Sequence, residues 1–301
     1  MEVKDPIEEL HETRLYCHLK ELSEEHARRI TTFVSEIVPI LATTARFFPH
    51  YTRHDAHHGY HVTRRVEQIL IPECLDPHNE RSLRSAEVFL LIASAYGHDL
   101  GMTVFPGEEA ELIKDLCLPT DHGWETSPNL QDYLRKNHSN RGATYIHLNA
   151  ERLRMPVNLV GPLDWMMRSH NLSIPELDRN LSVPFAAEER VIDVRQLAII
   201  LCIADAIEFS DTRVVDGVID AISRDKNPVT RESYRENMKH ICVGDSLAID
   251  DDGRIIVSGT FAEPDVLSLA HHTFDQIEEW IRGYCDITAV QNNRFSIVDA
   301  L

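Results

Sequence analysis

The stretch from Ser82 to His98 is apolar on nearly every face (AEVFLLIASAYG), and a helix of that kind is stable only when other helices surround it. The stretch therefore sets the architecture: a mainly α chain whose other helices are arranged about this one. Apolar residues recur at helical spacing elsewhere. Leu22–Phe48 carries Ile30, Phe33, Val34, Ile37, Ile40 and Leu41 at such intervals, and Pro39 within it predicts a kink or a break. Gly59–Ile71 places Val62, Val66 and Ile69 on one stripe and stops at Pro72. Further helices are expected near Ser139–Arg154, Pro156–Ser169, Ala186–Phe209 and Asp211–Arg224. Between them, Thr103–Tyr133 is punctuated by Pro106, Gly107, Pro119, Gly123 and Pro128, and reads as a lid or binding loop.

After about Lys239 the pattern changes. HICVGDSLAID and GRIIVSGTF alternate apolar and polar residues, and the DDG where they meet is a hairpin turn signal. Asp250, Asp251 and Asp252 are read as that turn, because the spacing and closing glutamate of a calcium loop are missing. An amphipathic helix, Asp265–Tyr284, and a strand-like ending, NRFSIVDAL, follow. The expected fold is a mainly α helical bundle with a small C-terminal β-hairpin plus helix (α+β) appendage. Its expected parts are N-terminal helices over 1–50, a metal-binding helical domain over 51–238, and a small subdomain over 239–301 that leads into a further domain.

Composition narrows the setting. With 43% apolar and 26% charged residues the chain can build and cover a core. Six cysteines (Cys17, Cys74, Cys117, Cys202, Cys242, Cys285) without a CxxC pair read as reduced thiols of a cytosolic protein. The longest apolar runs, around Val88–Tyr96 and Leu197–Ile203, are too short to cross a bilayer, and the polar N-terminus MEVKDPIEELHETR is no secretory signal. A cytoplasmic protein without membrane partners is the expectation. The formal net charge of −19 disfavours duplex nucleic acid. A small phosphorylated substrate remains admissible, because bound divalent cations reverse the local sign.

The chemistry is carried by ionisable residues placed where burial makes them costly. His98-Asp99 ends the most apolar helix, and Asp205 sits inside LAIILCIADAIEF, so each calls for a cation or a hydrogen-bonding partner. Hydrolysing a phosphoester at neutral pH requires activated water and neutralised phosphoryl charge. Divalent cations supply both, and imidazole with carboxylate suits Mn, Fe, Co, Ni or Zn.

In order and context, H…HD…D resembles the HD superfamily of metal-dependent phosphohydrolases, over roughly His54 to Arg213. By that resemblance His61 (GYHVTRRVEQIL) matches the first histidine, with His57 as the alternate; His54 and His58 are rival candidates read as neighbours of the ligands or surface residues. His98 and Asp99 (AYGHDLGM) match the doublet, and Asp205 (CIADAIEFSDTRV) the final aspartate. His138 (RKNHSNRGATYI) and His170 (MMRSHN) stand where longer members place extra ligands, which makes Asp99 the implied bridge between two ions. The implied cofactor is one or two divalent ions, Mn, Fe, Ni, Co or Zn, with Mg also admissible.

Asp99 is then the catalytic carboxylate. Arg141 and Arg168, each within a turn of a candidate ligand, are candidates for holding phosphate, with ordinary surface ion pairing an equal reading. One departure is Met102, which stands where many two-metal members carry the lysine of HDIGK. The flavour is similar to the HD-CE branch, which often precedes a GHKL-type ATPase domain. The implied activity is hydrolysis of a phosphoester in a nucleotide or signalling nucleotide. Two alternatives stand beside it. One is a nuclease on single-stranded nucleic acid, for which only short basic stretches such as Thr63-Arg64-Arg65 and Arg135-Lys136 are present. The other is a non-catalytic metal- or nucleotide-binding sensor regulating a C-terminal or partner ATPase domain. A homo-oligomer is compatible with all three.

Overall fold

The computed structural model describes residues 4–291 apart from 121–122, 181–184, 188–189, 216, 225–227, 245 and 251–253. The fold is mainly helical, as expected. Helices α1 (Pro6–Glu12), α2 (Arg14–Leu22) and α3 (Glu24–Leu41) follow one another with single-residue joints. The side chains of Asp5, Thr13 and Ser23 accept hydrogen bonds from their first-turn amides. After α4 (Thr44–Phe47) come α5 (Ala56–Ile69), α6 (Ser85–Gly97), α7 (Glu109–Asp115), α8 (Pro128–Leu148), α9 (Val157–Ser169) and α10 (Ile174–Asn180). The hairpin β1 (Phe185–Ala187)–β2 (Arg190–Ile192) leads into α11 (Val194–Ala206), α12 (Val218–Ile222) and α13 (Pro228–Val243). A second hairpin, β3 (Ala248–Ile249)–β4 (Ile255–Ile256), precedes α14 (Pro264–Gln291).

Helix α6 is the axis of the molecule. Every residue from Ala86 to Gly97 is buried, and α2, α3, α5, α9 and α11 pack around it. Each fully buried Leu, Ile or Phe side chain there contributes about 1.5–3 kcal/mol relative to exposure. Glu87 starts the helix, its carboxylate accepting from the Arg84 amide at 2.8 Å. Helix α11, buried from Val194 to Ala204, is the second central element. Helix α14 adds Val266, Ala270, Ile277 and Ile281 to the interior, packing on α11 and α13.

Several expectations need adjustment. Pro39 does not break α3; it lies in the last turn, where its missing N–H removes one bond only, and the break follows at Ala42–Thr43. The segment Glu24–Phe47 is, by length and composition, apolar enough to cross a membrane. Its face of Ala27, Ile30, Phe33, Val34, Ile37 and Leu41 is instead buried in the core. The segment Thr103–Tyr133 is less irregular than its prolines suggest. It contains α7 and the start of α8, with Pro128 at a helix-initiating position where its missing N–H costs nothing. Leu112, Leu118, Leu130 and Leu134 join Phe47, Phe48, Met102 and Val104 in a small satellite core.

The helix expected from Ala186 begins only at Val194. Asp193 caps it by accepting from the Gln196 amide, and the preceding residues form the first hairpin. In the C-terminal region His240–Val243 is helical rather than extended. The second hairpin pairs Ala248 with Ile256 and Ile249 with Ile255; its DDG turn, the NRFSIVDAL ending and the Cys285 side chain lie outside the described residues. Cys17, Cys74, Cys117, Cys202 and Cys242 are free thiols.

Candidate metal centre

Four helices deliver the chemistry to one point. His98 is the residue that ends α6, and His170 is the residue that ends α9. Asp205 lies in the last turn of α11, and His138 faces inward from the middle of α8. The fifth contribution comes from α5. Asp55 caps that helix by accepting from the His57 and His58 amides, so the helix starts at Ala56, three residues earlier than its apolar stripe implies. The early start puts His58 inside, with almost no exposed surface, and turns His61 toward a different neighbourhood.

The consequence is a correction to the expected first ligand. His61 does not join the cluster; its Nε2 lies 3.1 Å from Nε2 of His57 and 3.3 Å from Oγ1 of Thr212. His57, the alternate, is held by Glu9, 3.0 Å from its Nδ1. His58 takes the place instead, with Nε2 3.2 Å from Asp205 Oδ1 and 3.6 Å from Asp99 Oδ2. Asp55, three residues before His58, was the signal in the sequence: an aspartate there starts a helix.

Two groups of potential ligand atoms result. His58, His98 and Asp205 form one, and Asp99, His138 and His170 the other; within each, the ligand atoms lie within 4.8 Å of one another. Asp99 faces both. Its Oδ2 is 3.1 Å from His98 Nε2, and its Oδ1 is 3.6 Å from His138 Nε2. The structure thus brings His98, Asp99, His138, His170 and Asp205 together as the sequence suggested.

The histidines are oriented by their own helices. Nδ1 of His98, His138 and His170 each donates to the carbonyl three residues earlier, of Ala95, Arg135 and Met167, at 3.0, 2.7 and 2.7 Å. That choice leaves every Nε2 aimed at the centre, the tautomer a metal ligand needs. His58 is oriented by a carboxylate instead, with Glu208 Oε2 3.4 Å from its Nδ1. Nε2 of both His58 and His98 is buried without a properly formed hydrogen bond, although carboxylate oxygens stand close. Buried nitrogens converging on one point with ionised oxygens among them are what a divalent cation requires, so the donor set fits imidazole–carboxylate metal binding.

The electrostatics agree. Burial works against charge on Asp99 and Asp205. The surrounding imidazoles outweigh it, and both carboxyls are held well below the usual carboxylate range. Burial likewise opposes charging His98, yet Asp99 and Asp205 raise its imidazole well above the ordinary value. Burial, with His138 and His98 close by, pushes His170 down to about 3. Glu208, despite its burial, is brought to about 2 by the neighbouring His58 imidazole and the charge of Arg213.

Beside the centre lies a cleft of ≈ 600 Å³, reaching from Asp99, His138, His170 and Asp205 to Tyr51, Arg213 and Lys239. Its far wall includes Glu236 and His240 of α13 and Thr273 and Gln276 of α14. No described residue of Thr103–Tyr133 lines it, whereas Met102, just before that segment, does. Arg141 and Arg168 do not line it either, which corrects the expectation that they reach a bound phosphate. Arg141 is spent on the chain after the His-Asp doublet, donating to the Gly101 and Thr103 carbonyls and to Glu108 at 3.2, 2.7 and 2.8 Å. Arg168 is tied to Asp164, Asn140 and Thr144.

Helix α8 reaches the centre because the turn that follows the doublet has no side chain at Gly101. A Cβ there would overlap the His138 carbonyl oxygen and come within 2.8 Å of the Gly142 amide. The profile of the HD-CE family matches residues 48–285, more than three quarters of the chain, and contains all six of these clustered residues. The chain belongs to the HD-CE family. No curated protein and no solved structure matches it. The His/Asp clusters give this HD-CE domain a place able to hold a divalent metal.

Proposed function

We propose that this HD-CE chain is a metal-dependent phosphohydrolase that cleaves a phosphoester bond of a nucleotide-like substrate. The observation that carries the reading is the single carboxylate of Asp99 standing between two groups of inward-facing Nε2 atoms, at the floor of a cleft. His58, His98, Asp99 and Asp205 would hold one ion, and Asp99, His138 and His170 a second. Divalent cations held there would supply Lewis acidity toward the phosphoryl group and lower the pKa of a water molecule.

The chain's own residues do the rest. The carbonyls of Ala95, Arg135 and Met167 hold three imidazoles in the ligating tautomer. The depressed carboxyls of Asp99 and Asp205 stay ionised at neutral pH, so neither competes for a proton with the incoming substrate. A cleft of ≈ 600 Å³ is within the range that encloses a nucleotide-sized ligand. Its walls carry Glu232 and Glu236 as well as basic groups, which favours a short phosphorylated molecule over a long nucleic-acid strand.

The test is elemental analysis of the purified chain, wild type and Asp99→Ala, followed by a phosphoester panel with each metal. We expect about two equivalents of a first-row metal in wild type, strong loss in the variant, and turnover that disappears with the metal. Metal loading without turnover of any phosphomonoester, phosphodiester or nucleotide would leave a sensor and overturn the hydrolase.

A further inference from the structure

Of the cations that line the cleft, three are already neutralised. Lys239 Nζ lies 2.8 Å from Glu236 and 3.3 Å from Thr273. Arg213 lies 3.5 Å from Glu208, and Lys136 is 2.8 Å from Asp132. Arg135 differs. It is exposed, and among the described residues no carboxylate pairs with it. In a chain with 49 acidic and 30 basic residues, a lone guanidinium at the mouth of a cleft stands against the general trend.

Arg135 is also held in place. Its guanidinium carbon lies 5.6 Å from the centroid of the Tyr51 ring, and its Nη1 is 3.4 Å from the Tyr51 hydroxyl. Tyr51 is seated in turn on Phe48, ring centroids 4.9 Å apart. With Nη1 directed at the Tyr51 hydroxyl, the remaining edge N–H groups of the exposed guanidinium are available, and such groups bind phosphate. Arg135 sits three residues before His138 on α8, about 4.5 Å along the helix axis. The same residue's carbonyl fixes the His138 ring. Arg135 thus lines the same cleft as Asp99, His138 and His170 while belonging to neither cluster.

From this placement, and resting on the phosphohydrolase reading above, we infer that Arg135, stacked on Tyr51, is a second anion subsite, and that the substrate carries a second phosphoryl group next to the one at the metal centre. The substrate class is then a diphosphate-bearing compound, such as a nucleoside diphosphate or triphosphate, rather than a monophosphate. Arg135 takes the part that the sequence assigned to Arg141 and Arg168, and it compensates for Met102 in the place of a lysine.

The experiment compares two uncleavable probes, methylphosphonate and methylenediphosphonate, by calorimetry on the manganese-loaded protein, with Arg135→Ala, Arg135→Lys and Asp99→Ala. Wild type should bind the two-phosphoryl probe at least about tenfold more tightly than Arg135→Ala does. Methylphosphonate should bind both proteins alike, and Arg135→Lys should recover part of the difference. Because Arg135 is exposed, its removal leaves the core intact. An unchanged affinity for methylenediphosphonate in Arg135→Ala would overturn the subsite. If methylphosphonate binds Asp99→Ala as well as wild type, the metal reading fails separately, and the subsite still stands or falls on the Arg135→Ala comparison.

Discussion

His58 and His61 lie on the same helix less than one turn apart, yet their rings meet different chemistry. His58 is enclosed between the carboxylates of Asp99, Asp205 and Glu208, whereas His61 faces His57 and Thr212. Replacing each by alanine should therefore separate them. His58→Ala is expected to lower the bound metal from about two equivalents toward one, and His61→Ala to leave it unchanged. Elemental analysis of the two variants decides it, and an equal loss in both would return His61 to the ligand set. At this scale the sequence was readable where burial makes an ionisable group costly. His98, Asp99 and Asp205 interrupt apolar helices, and nothing but a partner or a cation explains them. Arg135 carried no such mark, because what singles it out is the absence of a carboxylate partner among the described residues and the presence of Tyr51, 84 positions away in sequence. Arg141 and Arg168 misled for the same reason, since closeness to a ligand along the chain does not say which way a side chain points.

Among the elements, the close approach of α8 to the turn after the His-Asp doublet is the most demanding contact. Gly101 permits it, and Gly142 on the other side meets the Gly101 amide at 3.1 Å from where its own Cβ would be. Gly101→Ala must push α8 away through backbone atoms, which have nowhere to rotate. We expect a loss of about 1–3 kcal/mol of stability. His138 should be displaced too, so that denaturation midpoint and metal content fall together; a variant of normal stability and normal metal content would refute this account. Helix α8 was half hidden in the sequence because the buried line of its first half, Leu130, Leu134 and His138, is narrow and includes a polar residue. The first hairpin was hidden differently. Ala186 and its neighbours fit a helical pattern, and only the capping bond of Asp193 marks where α11 starts.

At the scale of the whole molecule, the cleft is assembled from segments between Tyr51 and Gln276, so its far wall depends on α13 and α14 being docked. His240 of α13 reports that docking. It is buried, its Nδ1 has no hydrogen-bond partner, and burial together with Arg213 and Lys239 holds its imidazole well below 6.5. In the unfolded chain the same group takes up a proton as pH falls through about 6.5, while the native state refuses it. The unfolded state then binds more protons, so stability contributed by neutral His240 is present above that pH and is lost progressively below it. Denaturant unfolding between pH 7 and 5.5 should show a shallower decline in His240→Gln than in wild type, the difference amounting to about 1 kcal/mol. Parallel declines would mean that His240 is protonated in the folded state. The mainly helical class and the HD-CE assignment were legible at this scale, because apolar period and residue order survive without coordinates. The cleft was not, because it exists only where helices distant in sequence meet.

The position of Asp99 between the two clusters constrains how such a centre can change over generations of mutation. On the two-ion reading proposed above, losing His138 or His170 would touch one site, whereas losing Asp99 would remove the oxygens that face both His98 and His138. On that reading a lineage drifting from two ions to one could pass through either histidine, while the aspartate would be a shared hinge with no intermediate step.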